Sequence, residues 1–294
     1  MGKFSRFLKN SLGRGKELRL GIALGGGGAR GLAHIPLLEA LDSRGVRPCC
    51  IAGTSIGAVI GALYASGMSG SEIRELADNT VFQKDDSLKN ILDDIHRLGK
   101  LMDLNFMGSG IFHGDAITDY LCRALPVKTF DELNIPLIMT ATDFWTSEKI
   151  TISQGELASA MKASMGLPGI FKPVKRDGMI LIDGGGVDPV PYDLLKNCTV
   201  TVAIDVLGRS EPKEENAPSS VRAVLEMFNI MQRSIVRTTM ERNRPDIYIR
   251  PDIPNVGLME FHRAKEIFEM GERAVPELLE KLQPFLPEKG GKDR

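Results

Sequence analysis

Residues 18–45, LRLGIALGGGGARGLAHIPLLEALDSRG, and 49–67, CCIAGTSIGAVIGALYASG, decide the fold. Each begins with a short run of apolar residues too brief for a helix, Leu18 to Leu24 and Cys49 to Ala52, and so reads as a buried strand. Each strand then meets glycines. The first glycine turn leads into a segment whose Leu32, Ile35, Leu38 and Leu41 share one helix face, with Gly45 placed to cap its C-terminus. The second leads into a helix rich in small residues. Strand, glycine turn, helix, repeated, calls for parallel strands joined by right-handed crossovers.

Outward from this core the same alternation weakens but continues. Pro136 to Thr142, Lys149 to Ser153, Met179 to Ile182 and Thr199 to Val206 read as strands, and Asp115 to Ala124 and Leu157 to Met165 as helices. Residues 208–219 are charged and contain proline, which predicts an exposed loop. Two helical stretches follow, about 220–242 and 258–283, separated by a short strand at Ile247 to Ile249. The expected organisation is a basic lead-in over 1–17, a catalytic domain over 18–206, and a helical extension over 207–294 packed upon it.

Bulk properties narrow the chemistry. The 294 residues carry a net charge of −1, with no basic stripe interleaved with aromatics, so no nucleic-acid partner is expected. Cys49, Cys50, Cys122 and Cys198 contain no C-x-x-C spacing, and acidic residues show no calcium-loop pattern, so neither metal nor organic cofactor is expected. The thiols are expected to stay reduced. No apolar run reaches a spanning length and the start lacks an apolar signal core, so a cytoplasmic protein is expected, meeting a membrane only at its surface. Candidate contacts for that surface are Lys3 to Leu12, with apolar residues on one helix face, and the Met- and Phe-rich stretch 98–112.

Three motifs carry chemistry. Gly53-Thr54-Ser55-Ile56-Gly57 has the form of a nucleophile elbow, in which a tight strand-to-helix turn lifts the serine hydroxyl clear and Gly53 and Gly57 permit close chain approach. Gly25 to Gly31 fits G-x-G-x-x-G at Gly26, Gly28 and Gly31, but a dinucleotide site wants a carboxylate at the end of the second strand, and that strand ends in Ala-Gly-Thr-Ser. The other use of such a loop is an oxyanion hole, built from amides around Gly26, Gly27 and Gly28, with Arg30 either steadying the loop or attracting an anionic head group. Asp183, followed by Gly184 and Gly185, heads a glycine-tight turn at the end of a strand. Of the four histidines only His262 follows Asp183, and it lies in an amphipathic helical segment, while His34 reads as structural. Asp183 is therefore expected to serve Ser55 directly as base, without histidine.

The set GGGGARG (25–31), GTSIG (53–57), ASMGLPGIFKPV (163–174) and DGG (183–185), in that order, resembles the patatin-like phospholipase family over about residues 18–206. Through RGLAHI (30–35) and GTSIGA (53–58) it resembles the bacterial single-domain type and the neuropathy target esterase catalytic domain. The resemblance implies an α/β fold of three layers, α/β/α, with a mostly parallel central sheet. It also implies a Ser–Asp dyad and cleavage of acyl esters of phospholipids, lysophospholipids or neutral lipids. Two rival readings remain at this point: a regulatory or adaptor protein on the same scaffold, and a dinucleotide-dependent oxidoreductase.

Overall fold

A computed structural model of the chain describes residues 18–82, 121–209, 211 and 220–286. The lead-in over 1–17, the stretch 98–112 and the last residues of the tail lie outside the described residues.

The strands are β1 (Leu20–Leu24), β2 (Cys50–Thr54), β3 (Leu137–Asp143), β4 (Lys149–Ile152), β5 (Val174–Arg176), β6 (Met179–Asp183), β7 (Val200–Ile204) and β8 (Ile247–Ile249). The helices are α1 (His34–Ser43), α2 (Ile56–Ala65), α3 (Gly70–Phe82), α4 (Leu157–Ser164), α5 (Ser220–Arg242), α6 (Ala264–Glu272) and α7 (Val275–Leu282), with a 3-10 turn over Gly28–Ala33 before α1. The strands form one mixed, mostly parallel sheet. The hydrogen-bonded path runs β5-β6-β3-β2-β1-β7-β8, and β4 joins β3. Pairings β1–β2, β1–β7, β2–β3 and β7–β8 are parallel; β3–β4, β3–β6 and β5–β6 are antiparallel.

Side-chain alternation divides the core in two. Leu20, Ile22 and Leu24 of β1 point into a large cluster with α1, α2, α6 and α7. Ala23, Ala52 and Ala203 point to the other face, where Val190, Tyr192, Leu195 and Val236 of α5 cover them. Helices thus flank both faces, the three-layer arrangement that an all-apolar first strand demands. The segment after residue 207 is more than helices, because β8 extends the sheet beside β7. The helical stretch expected over 258–283 is broken at Arg273–Ala274, and Pro276 sits in the first turn of α7. Cys49 and Cys198 are free thiols, with sulfurs 3.4 Å apart. Among the described residues no helix is long and apolar enough to cross a membrane.

One feature of register positions the site. Met139 and Thr140 pair with both β2 and β4, and Ala141 and Thr142 pair with both β4 and β6. A strand has two edges, so β2 and β6 share one edge of β3 and meet head to head. β2 ends with Thr54 opposite Thr140, and β6 ends with Asp183 opposite Ala141. The turns leaving the two strands therefore begin beside each other.

The Gly53–Gly57 turn explains its own glycines. A Cβ at Gly57 would lie 2.6 Å from the Leu24 carbonyl carbon, and one at Gly53 would lie 2.6 Å from Ala58 Cα. Both contacts are with backbone, which cannot swing aside. Gly57→Ala is expected to cost more than about 2 kcal/mol in a urea melt. Gly186→Ala, whose Cβ meets only Thr142 Oγ1 at 3.4 Å, serves as the mild comparison. Equal midpoints for the two variants would show that the turn yields more easily than this packing indicates.

Candidate active site

Ser55 stands at the N-cap of α2 with φ 54 and ψ −125, a backbone conformation that costs a non-glycine residue about 1–3 kcal/mol. Its amide donates to Ser164 Oγ at 2.9 Å, and its hydroxyl donates to Asp183 Oδ2 at 2.7 Å. The other carboxylate oxygen, Oδ1, accepts from the Gly185 amide at 2.7 Å. The Asp183 amide donates to Gly166 O at 3.0 Å, and Thr142 Oγ1 donates to Asp183 O at 2.8 Å. The short segment Ser164–Gly166 thus grips both residues, Ser55 through a side chain and Asp183 through a carbonyl.

Asp183 is buried, and burial pushes its carboxyl up to about 6, against the hydrogen bonds from Gly185 and Ser55, which favour the ionised form. His262, on the 3-10 turn Phe261–Arg263, is exposed and takes no part in the contacts of Asp183. His34 is fully buried. It holds Gly25 O at 2.9 Å through Nε2, and burial keeps it neutral, down at about 4. Among the described residues no three His, Cys, Asp or Glu side chains gather where they could hold a metal ion.

The glycine loop differs in detail from expectation. The Gly26 amide, expected to face an oxyanion, donates to Pro189 O at 2.9 Å, because the loop must first turn away from the end of β1. Gly27 and Gly28 line the cavity beside Ser55, and among the described residues no backbone carbonyl engages either amide. Gly28 has φ +58, and its Cβ would strike the Leu258 carbonyl, so only glycine fits there. A Cβ at Gly27 would lie 2.9 Å from Val206 Cγ2, so a bulky residue there would displace the loop rather than merely shade the serine. Gly31 lets Ile56 pack against the loop: a Cβ there would sit 2.6 Å from Ile56 Cγ1.

Arg30 does not reach out to attract a head group. It is 2% exposed and donates to Gly27 O at 3.0 Å and to Asn229 Oδ1 of α5 at 2.7 Å, tying the loop to the C-terminal segment. Gly184 and Gly185 are both pressed tight, the first against Thr140 and the second against Gln232.

Ser55 and Asp183 open into an apolar cavity lined by Leu32, Val59, Leu63, Leu167, Phe171 and Phe228, among others. Leu167 and Phe171, like Ser164 and Gly166, fall within the 163–174 motif, while Phe228 and Gln232 lie beyond every motif. Ser164, Gly166 and Gln232 have no individual role assigned from the sequence.

The sequence model for the family described as "Patatin-like phospholipase" matches residues 22–196. The chain belongs to the patatin-like phospholipase family. An uncharacterized NTE family protein of Mycobacterium tuberculosis is 33% identical over 218 residues, covering 74% of this chain and 56% of that protein. Human patatin-like phospholipase domain-containing protein 6 is 29% identical over 278 residues, covering 86% of this chain and 20% of that protein. The chain therefore spans about half, or less, of the length of these relatives. In fold it is similar to VipD from Legionella pneumophila, with a TM-score of 0.51 and 17% identity over 90% of this chain and 66% of that one. The mixed, mostly parallel sheet with flanking helices is thus the fold of this patatin-like chain.

Two measurements follow from the site. A buried carboxyl with a raised pKa binds its proton more tightly folded than unfolded. Its effect on stability is therefore unfavourable as pH climbs from the ordinary aspartate range through about 6. Asp183→Asn removes the charge while keeping an acceptor for Gly185. The variant is expected to be more stable than the parent at pH 8, by on the order of 2 kcal/mol, and to lose that advantage near pH 4. A constant difference across pH would contradict the shift. Ser164→Ala leaves the Ser55 amide without its acceptor and should lower the melting free energy by about 1–2 kcal/mol. An unchanged melt would mean that the elbow holds without this bond.

Proposed function

We propose that this protein is a serine acyl hydrolase acting on carboxylic esters of phospholipids or lysophospholipids, with Ser55 as nucleophile and Asp183 as base. The observation that carries the reading is the 2.7 Å hydrogen bond from Ser55 Oγ to a buried Asp183 carboxylate at the floor of an apolar cavity. An aspartate of ordinary acidity is a weak base; one raised to about 6 is better matched to taking a proton near neutral pH.

In acylation the Ser55 oxygen bonds to the ester carbonyl carbon while its proton passes to Asp183 Oδ2. The carbonyl oxygen, now negative, is met by the Gly27 and Gly28 amides and by the N-terminal end of α2, where partial positive charge gathers. Asp183 then gives the proton to the departing alcohol oxygen. Water repeats the sequence in reverse, releasing the fatty acid and restoring both side chains. The apolar wall takes the acyl chain. No metal or organic cofactor enters this scheme. Residues 18–206 are read as the catalytic domain, with 207–294 as a C-terminal extension packed on it. A cytoplasmic protein that reaches lipid by peripheral contact fits a scheme in which the substrate resides in a bilayer.

A panel of purified lipids tests the substrate class, with fatty-acid release as the readout. Ser55→Ala and Asp183→Asn are each expected to lower turnover at least about a thousandfold, and His262→Ala to leave it near the parent value. On a soluble short-chain ester, kcat/KM should rise with pH along an acid limb near 6 and then level, since only ionised Asp183 can accept the proton. Substantial turnover by either dyad variant, or a limb at the ordinary aspartate position, would overturn the assignment.

A further inference from the structure

α5 packs inward through Asn229, Gln232 and Val236, which are buried. The outer side of its first half is apolar as well. Val224, Met227, Ile230 and Met231 are each more than half exposed, and their spacing of three and four residues sets them in one ridge along the helix. The outer side of a helix that faces water ordinarily carries charge. A row of large apolar side chains there, unlike a single one, marks a contact surface.

Two neighbours of the ridge indicate what it contacts. On one flank stands Phe228, half-buried, four residues after Val224 and three before Met231. Phe228 also lines the cavity of Ser55, so apolar surface continues from the cavity onto the ridge. On the other flank Ile230 belongs to an open groove that also carries Arg233, Arg237, Arg244 and Arg250, against the carboxylates of Asp205 and Glu241. Asp205 is buried and held by the Leu207 amide and the Tyr248 hydroxyl, with Arg250 at 3.9 Å. Arg233 pairs with Glu226 at 3.0 Å. Arg237 is exposed and has no ion-pair partner among the described residues, and Arg244 donates to the Met240 carbonyl rather than to an acid. Positive charge is therefore in excess beside the ridge.

Apolar side chains next to uncompensated arginines match a surface that is anionic at its skin and apolar just beneath, which is phosphate-bearing lipid. A second copy of this chain fits less well. An isologous contact sets the same surface, with the same excess of positive charge, against itself. We propose that the ridge of Val224, Met227, Ile230 and Met231 docks the protein on an anionic lipid surface, with Arg237 and Arg244 of the adjoining groove against head-group phosphates. The inference rests on the lipid-ester reading above and adds where the protein meets its substrate, beside the cavity wall that Phe228 forms.

The test sediments the full chain with vesicles of phosphatidylcholine and with vesicles of an even mixture of phosphatidylcholine and phosphatidylglycerol. The parent should prefer the anionic vesicles by about fivefold for each arginine engaged. Arg237→Glu combined with Arg244→Glu should lower binding to them at least about twentyfold. Met227→Asp combined with Met231→Asp should lower binding to both kinds by about tenfold or more. Each variant should hydrolyse soluble p-nitrophenyl butyrate within about twofold of the parent, while its hydrolysis of phospholipid in the anionic vesicles falls with binding. A parent that binds neither vesicle overturns the proposal. Variants that bind as the parent does also overturn it and assign docking to another segment. A parent that forms dimers in sedimentation velocity, dispersed by the Met227→Asp and Met231→Asp pair, would make the ridge a contact between copies instead. Vesicle binding that follows the arginines and methionines in a protein that hydrolyses neither ester would uphold the docking surface and sink the hydrolase reading.

Discussion

Everything distinctive about this chain converges on two strands that end against each other along one edge of β3. Because β2 stops opposite Thr140 and β6 stops opposite Ala141, the turns that follow carry Ser55 and Asp183 into contact without any long side chain between them. A serine and an aspartate are both short. A hydrogen bond of 2.7 Å between them tolerates no slip of register, since a shift of one residue would turn either side chain to the opposite face. Thr54 Oγ1 and Thr140 Oγ1, 2.6 Å apart, and Thr142 Oγ1 on Asp183 O fasten this junction from both strands.

The cost of the arrangement is local strain and charge burial, and the surroundings hold both in place. Ser55 sits at a positive φ that the hydrogen bond from its amide to Ser164 secures, and, among the described residues, the ionised form of the buried Asp183 is stabilised by the Gly185 and Ser55 donors. Residues that look peripheral in the chain turn out to brace this point. Arg30 reaches from the glycine loop to Asn229, so the loop beside the serine is fixed by a helix nearly two hundred residues away in sequence.

The fold was legible in the sequence because its signals are local. Apolar strands running into glycine turns, and Gly45 with φ +66 after α1, need no knowledge of the tertiary structure to be read. Ser55 and Asp183 were legible for the same reason: each sits on a turn whose glycines announce it. What escaped depends on distant contacts. The Gly26 amide was assigned to the oxyanion, but Pro189, far along the chain, claims it. Arg30 offered two readings in sequence, and only burial against Asn229 separates them. The strand Val174–Arg176 is short and carries two charges, so no apolar pattern marks it. Asn229 and Gln232 did leave a trace, as polar residues on what is otherwise the apolar side of α5, but that trace becomes informative only once the helix is seen against the cavity.

The claim at the centre is that Ser55 is a nucleophile poised by Asp183 inside a lipid-accepting cavity. The most direct measurement is labelling with a long-chain fluorophosphonate, followed by intact mass and peptide mapping. The expected result is a single adduct on the peptide bearing Ser55, absent in Ser55→Ala and formed far more slowly in Asp183→Asn. An adduct on another residue, such as Ser164, or labelling at the parent rate in Asp183→Asn, would contradict it.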